Sequence, residues 1–439
     1  MAVDTSSDAI KLQRLAEKAF VIIALVLYSG GLAPFVTNTN PLYIIVLALP
    51  HIGFVITLFL LAVRWNRALS TVVRDPLLWL VLAVTACSPY WSEHVSESVQ
   101  EVIPLLRVTF FGIYLSSNYT LRQQIHFLSL AFGICVVLTL IFCLFLPSYA
   151  VVGKGFIANM EDVVHEGSWR GIYVHRTVLA SIMSLAGLIF FFNTASSVRH
   201  QVISWCMLSL SVLLILRSNA KGALLVLFIS LGLIFLYRTL RMRFTIMLPL
   251  LIAISMIVGS TSIIIIENAE PILNSLGKEM TISGRTEFWP QLIDKVWARP
   301  WLGYGYHAFW IGGWKGEPAD VWKYLRYGFE PPHAHNGFIE MALSTGLIGL
   351  LLFVLGFIII FLRSIIWVRL IYTIEGLLPV TYLTFTILIN QTESFLMRAD
   401  IFWILFVSFS FSMFNKTAHF NEEKSLFERR NKPNQDTVN

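Results

Sequence analysis

The sequence predicts an all-α, polytopic membrane protein of about twelve spans with one large extramembrane loop, and three observations predict it. Of its 439 residues 56% are hydrophobic and 13% charged, with a mean hydropathy of +0.71, whereas a globular chain is about a quarter charged. Apolar stretches of about 20 residues recur from Phe20 to Phe414, the length that a hydrocarbon core of roughly 30 Å asks of a helix. Lys and Arg gather in alternate breaks between those stretches, as they do on the cytoplasmic side of multi-pass proteins. The net charge of +6 and pI near 9.1 are therefore read as loop charges that set orientation, and nucleic acid is not expected as a partner.

The elements follow in order. Residues 1–18 are polar and mixed in charge, with no small-residue cleavage site after the first apolar run, so the first span is expected to be retained. Apolar windows place nine spans within 19–266, at 19–36, 41–63, 76–91, 99–117, 124–146, 174–193, 202–216, 221–237 and 244–266. Three more fall within 337–414, at 337–362, 376–391 and 400–414. With the N-terminus inside, the cytoplasmic breaks hold Arg64, Arg67 and Arg74, then Arg122, Arg199, the cluster Arg238, Arg241 and Arg243, and Arg363 with Arg369. The tail 415–439 adds Lys416, Lys424, Arg429, Arg430 and Lys432, whereas the opposite breaks at 37–40 and 92–98 carry neither Lys nor Arg. Both termini are thus expected inside. Cys87, Cys135, Cys143 and Cys206 lie in or beside apolar runs with no metal-ligand spacing, which argues against a disulfide framework or a zinc site.

Two outer segments are longer than connectors need to be, 147–173 and 267–336, and loops of that length usually carry function. The second holds six of the 13 Trp, among them Trp289, Trp301 and Trp310, together with Tyr304. Aromatics concentrated in this way suit the apolar faces of sugars, though an interfacial belt draws on the same residue types.

Four clusters could carry chemistry. In Ser283-Gly284-Arg285, a helix from about Thr286 to Ala298 is expected from the spacing of Phe288, Leu292, Ile293 and Val296, with Pro290 in its first turn. Arg285 then stands at a helix N-terminus, where free amides favour an anion and a guanidinium suits phosphate. In Pro331-Pro332-His333-Ala334-His335-Asn336-Gly337, the histidines could bind a metal but no third ligand stands at a supporting spacing. Either histidine could act as a general base, and His335 with Asn336 could simply cap the helix that follows. Glu340, one turn into that span, is a costly ionisable group expected to be functional or paired. Arg217 and Lys221 flank an outer turn against the charge rule, and Arg170, His175 and Arg176 add cations to the same side. An anionic ligand or snorkelling to the interface would each account for them.

Taken together, Gly284-Arg285-x-x-x-Trp289, Pro300-Trp301-Leu302-Gly303-Tyr304-Gly305, His333-Ala334-His335-Asn336 and Gly346-Leu347-Ile348-Gly349 resemble the signature of the O-antigen ligase and polymerase superfamily. Arg170-Gly171 and His175-Arg176 resemble its exopolysaccharide polymerase branch. The resemblance implies a bacterial inner-membrane glycosyltransferase whose periplasmic loop 267–336 is catalytic. It would move glycan from a polyprenyl diphosphate-linked oligosaccharide to a hydroxyl of the growing acceptor, by inverting transfer, with no cofactor and no metal. Arg285 matches the family's loop arginine and His335 its loop histidine, with His333 as the alternative base. Lys221 stands where the family usually carries arginine. Lys221, Arg217, Arg176 and Arg170 are the expected diphosphate cations, and Trp289, Trp301, Tyr304 and Trp310 the expected glycan surface. The bilayer and a chain-length regulator or export machinery are the further partners this reading implies. A ligase using a lipid or protein acceptor is the nearest alternative. A transporter of lipid-linked glycans is a more distant one, because charge collects at one face and no repeated halves are visible.

Overall fold

The computed structural model describes residues 4–31, 43–154, 165–194, 198–243, 246, 285–325 and 330–414. Among these the chain is all helix and connecting loop, with a single isolated β-bridge between Val151 and Trp169. The helices of eight residues or more are α1 (Asp4–Tyr28), α2 (Tyr43–Val63), α3 (Trp65–Val72), α4 (Pro76–Cys87), α5 (Val95–Asn118), α6 (Leu121–Phe145) and α7 (Arg176–Asn193). They continue with α8 (Val198–Arg217), α9 (Lys221–Thr239), α10 (Arg285–Ala298), α11 (Gly337–Leu370), α12 (Leu378–Ile389) and α13 (Ile401–Ser412).

Among the described residues seven helices, α2, α5 to α9 and α11, are long and apolar enough to cross a membrane, and α3 with α4 forms a pair bent by 92°. The chain is therefore a multi-pass membrane protein. Apart from residue 246, the span expected at 244–266 lies outside the described residues, as do the loop before Arg285 and the tail 415–439. The spans expected at 376–391 and 400–414 are realised as shorter apolar helices. Helix α3, with Arg67 in it, falls in a break read as a connector: its polar face hid it from an apolar window.

Local chemistry sets the helix ends. Asp75 caps α4 by accepting from the Leu78 amide, with Pro76 at the first position where no donor is lost. Thr120 and Gln123 form a reciprocal capping box on α6. Asp400 accepts from the Phe402 amide to start α13. The bundle core lies between α5 and α13, where Phe111, Trp403 and Phe406 are buried, and the Trp403 indole donates to Thr109 Oγ1 at 2.8 Å. Around it α1 packs on α6, α7 on α8, α9 on α12 and α4 on α11.

Helix α11 is not one rod. Its 34 residues would be about 51 Å long at 1.5 Å per residue, well beyond a hydrocarbon core. At Gly346 the backbone leaves the helix, at φ 67° and ψ −174°. The loop segment 300–305 fills the gap. Leu347 N donates to Pro300 O at 2.7 Å, Tyr304 N to Leu343 O at 2.8 Å and Gly305 N to Ser344 O at 3.2 Å. A Cβ on Gly346 would sit 2.2 Å from Trp301 O, and one on Gly303 2.4 Å from Leu343 O, so both positions need glycine for approach as well as for positive φ. The same strap is tied to the α4–α5 connection, where the Trp91 indole donates to Leu302 O at 3.0 Å and Tyr306 N to Ser88 Oγ at 2.9 Å.

Candidate active site

The strap, α10, the start of α11 and the segment 390–400 meet at one end of the bundle, and His335 lies among them. Asn336 caps α11, its Oδ1 accepting from the Phe338 amide at 3.0 Å and the Ile339 amide at 3.2 Å. Capping is thus the work of Asn336 and not of His335, which stands on a left-handed backbone (φ 48°) with its side chain largely covered. Its ring lies 4.1 Å from the His333 ring and 6.5 Å, edge to face, from the Phe288 ring.

The peptide carrying the histidines is gripped from three sides. Glu340, buried, accepts from Ala334 N at 2.8 Å and from the Trp310 indole at 2.9 Å. The Trp289 indole donates to Ala334 O at 2.9 Å. Gly337 N donates to Asn390 O at 2.9 Å, and Asn390 Oδ1 accepts from Phe395 N and Leu396 N, at 2.8 and 3.0 Å. Glu340 is paired, as its cost in a span required. Two of the expected glycan aromatics, Trp289 and Trp310, have their indole N–H groups committed to this loop. Tyr304 is buried, with its hydroxyl bonded to Lys295 O at 3.1 Å, and Trp301 is 68% exposed.

The residue that sequence reasoning missed is Glu393. It is buried, and its Oε2 lies 4.0 Å from His335 Nδ1. His333, His335 and Glu393 each bring a ligand atom within 4.8 Å of the others, so the third ligand that spacing could not supply comes from a distant break, and the trio could hold a metal ion. The signal available was an acid in a polar outer break, Gln391-Thr392-Glu393, between two apolar runs.

The expected cations divide. Arg285 is the first residue of α10, so it stands at the helix N-terminus as anticipated, although its side chain lies outside the described residues; Pro290 is the sixth residue of that helix, past its first turn. Arg217, Arg176 and Arg170 gather around the α8–α9 turn. Arg217 lies over the Trp169 ring at 4.8 Å, Arg176 donates to Asn219 O at 3.3 Å and lies 2.6 Å from His165 Nε2, and Arg170 donates to Tyr149 O at 2.9 Å. Lys221, exposed, opens α9. That helix start reaches the histidine cluster, since a Cβ on Gly222 would lie 3.8 Å from Thr392, the residue before Glu393.

A third charged group lies at the far end of α10. Arg299 is bonded to Glu93, and Lys295 to Glu317 and, at 2.7 Å, to Asp320. The Lys295 bond, with that of Lys323, holds the exposed Asp320 carboxyl down to about 2, and the Arg299 bond holds Glu93 below its usual range.

Residues 206–354 match the O-antigen ligase family. Over these residues the chain resembles the O-antigen ligase superfamily. It is also 39% identical over 99 residues to the exopolysaccharide production protein ExoQ of Rhizobium meliloti, a match spanning 22% of this chain and 22% of that relative. The O-antigen ligase segment includes Arg217, Lys221, Arg285, His333 and His335 and stops short of Glu393, which joins the site only through the fold.

Proposed function

We propose that the protein is an inner-membrane glycosyltransferase that extends a glycan at the periplasmic face by inverting transfer from a polyprenyl diphosphate donor, joining repeat units as an exopolysaccharide polymerase. The observation that carries this reading is His335. It is held on a left-handed turn with Nδ1 toward buried Glu393, beside a helix start that ends in cations. A carboxylate 4.0 Å from Nδ1 favours a proton on that nitrogen, leaves Nε2 to accept one and stabilises the imidazolium that results. The acceptor hydroxyl gives its proton to Nε2 while its oxygen bonds to the anomeric carbon. The bond from that carbon to the diphosphate oxygen breaks on the opposite side, so configuration inverts. Charge then grows on the departing diphosphate, where Lys221, Arg217 and Arg285 would stabilise it. Glu340, Trp310 and Trp289 do no chemistry in this scheme; they fix the peptide that aims the imidazole.

Base and metal readings of the trio exclude one another, because an ion coordinated by His335 would take the lone pair that the acceptor proton needs. One experiment separates them. Purified protein in liposomes is given a polyprenyl diphosphate oligosaccharide with and without chelator, and chain length is read on gels. Growth in the presence of chelator, lost in His335→Ala and Arg285→Ala while both variants still insert and bind donor, is the expected result. Growth that stops with chelator overturns the base reading. Equal growth in both variants overturns the site, and passage of unchanged donor across the bilayer makes the protein a transporter.

A further inference from the structure

The charged group at the far end of α10 lines an open pocket of about 480 Å³, well within the roughly 300–1,000 Å³ of small-molecule sites. We propose that this cavity is a subsite for a neutral oligosaccharide, the part of the glycan that lies a couple of pyranose rings from the reacting hydroxyl. This deepens the function proposed above and rests on it for the reaction, though not for binding.

Its walls come from three separate parts of the chain. Glu93 stands just ahead of α5, Lys295 and Arg299 end α10 or follow it, and Lys315, Glu317 and Asp320 belong to the loop. Three cations face three carboxylates. Lys295 bonds Glu317 and Asp320, and Arg299 bonds Glu93 and lies 3.8 Å from Glu317. A ring balanced in this way offers no net charge to a diphosphate, and its charged walls would not take up a polyprenyl tail. It does set donors and acceptors side by side. A sugar hydroxyl, which donates to a carboxylate and accepts from an ammonium at once, uses both without disturbing either charge. Stacking is not the mode of recognition, because Tyr304 is buried and its ring is covered by Arg299 at 4.6 Å.

Position ties the cavity to the site. Phe288 touches the His335 ring, and Lys295 follows it by seven residues, two turns along the same face of α10 and about 10 Å away at 1.5 Å per residue. The buried Phe288–Leu292 face of α10 thus fixes the cavity about two helical turns from the His335 ring, a separation that a couple of pyranose rings can bridge.

The test uses neutral hexose tetrasaccharides, α- and β-linked glucose and galactose, titrated into the purified full-length protein and read by saturation-transfer NMR. Binding at millimolar concentration is expected, weakened about tenfold by Glu317→Gln and by Asp320→Asn, each of which removes a charged acceptor. Asp320 is 56% exposed, so its variant keeps the fold, and a thermal melt of each variant checks this. The proposal fails if no neutral tetrasaccharide binds, if both variants bind like the parent, or if tetragalacturonate displaces the neutral sugars. The two readings fail separately. Tetrasaccharide binding without any glycan transfer removes the reaction and leaves the subsite, whereas transfer whose half-saturating acceptor concentration is unchanged in both variants removes the subsite and leaves the reaction.

Discussion

Two groups of basic residues share one end of this bundle and differ in what they touch. Around the α8–α9 turn, Arg170 donates to a backbone carbonyl and Arg217 lies on an indole face. Such partners orient a cation without cancelling its charge. At the end of α10, Lys295 and Arg299 are bonded to Glu93, Glu317 and Asp320, which do cancel it. A residue count scores the two groups alike, but the partner chemistry suits the first to a diphosphate and the second to an uncharged polyol, with His335 between them.

The comparison breaks most severely if its centre is wrong. His335→Ala should lower the transfer rate by about 10²–10⁴-fold, the range of general-base catalysis, with donor binding retained in a filter assay. Next come the cations of the first group. Lys221→Gln and Arg217→Gln should each cost about a hundredfold in kcat/KM for donor. Raising salt should weaken donor binding while leaving tetrasaccharide binding unchanged, since a neutral ligand gains nothing from net charge. If salt weakens both equally, the distinction between the groups is void. Gly346→Ala should cost about 2–4 kcal/mol, from strain at φ 67° and a Cβ 2.2 Å from Trp301 O, read as a lower melting temperature. The smallest effect is acid loosening of the loop. Desolvation, with the Arg398 charge behind it, holds His307 down to about 4 from an ordinary 6.5. A depressed group of this kind contributes stability above pH 6.5 and loses it as pH falls toward 4. Proteolysis of segment 299–320 should therefore accelerate across that window, and His307→Gln should flatten the response.

The fold class was legible because apolar length is a blunt physical requirement, and α10 was legible because Phe288, Leu292 and Val296 repeat at helical spacing and are buried together. The Gly346 break was not, since Ser344-Thr345-Gly346 sits inside a run still apolar enough to read as one continuous span, and only the docking of Pro300 to Gly305 shows what the glycine does. Both histidines and the basic residues could be read, because each sits in a polar interruption of an apolar run. Glu393 could not be joined to them, lying 58 positions beyond His335 with two apolar helices between. The division of the cations into two groups was equally hidden, since their partners, such as Trp169 for Arg217 and Glu93 for Arg299, are set by tertiary approach.

The interruption at Gly346 also has a mechanical meaning. The short piece 337–345 carries Glu340, follows the Asn336 cap and is fastened to Asn390 and to the strap, and the piece that begins at Leu347 is fastened to the same strap, Leu347 N donating to Pro300 O and Ile348 N to Trp301 O. A glycine clamped on both sides in this way is a fixed elbow and not a free hinge. The angle between the two rods is set by segment 300–305 and not by helix continuity, so the loop that carries the aromatic residues also decides how the histidine turn is presented above the longer rod.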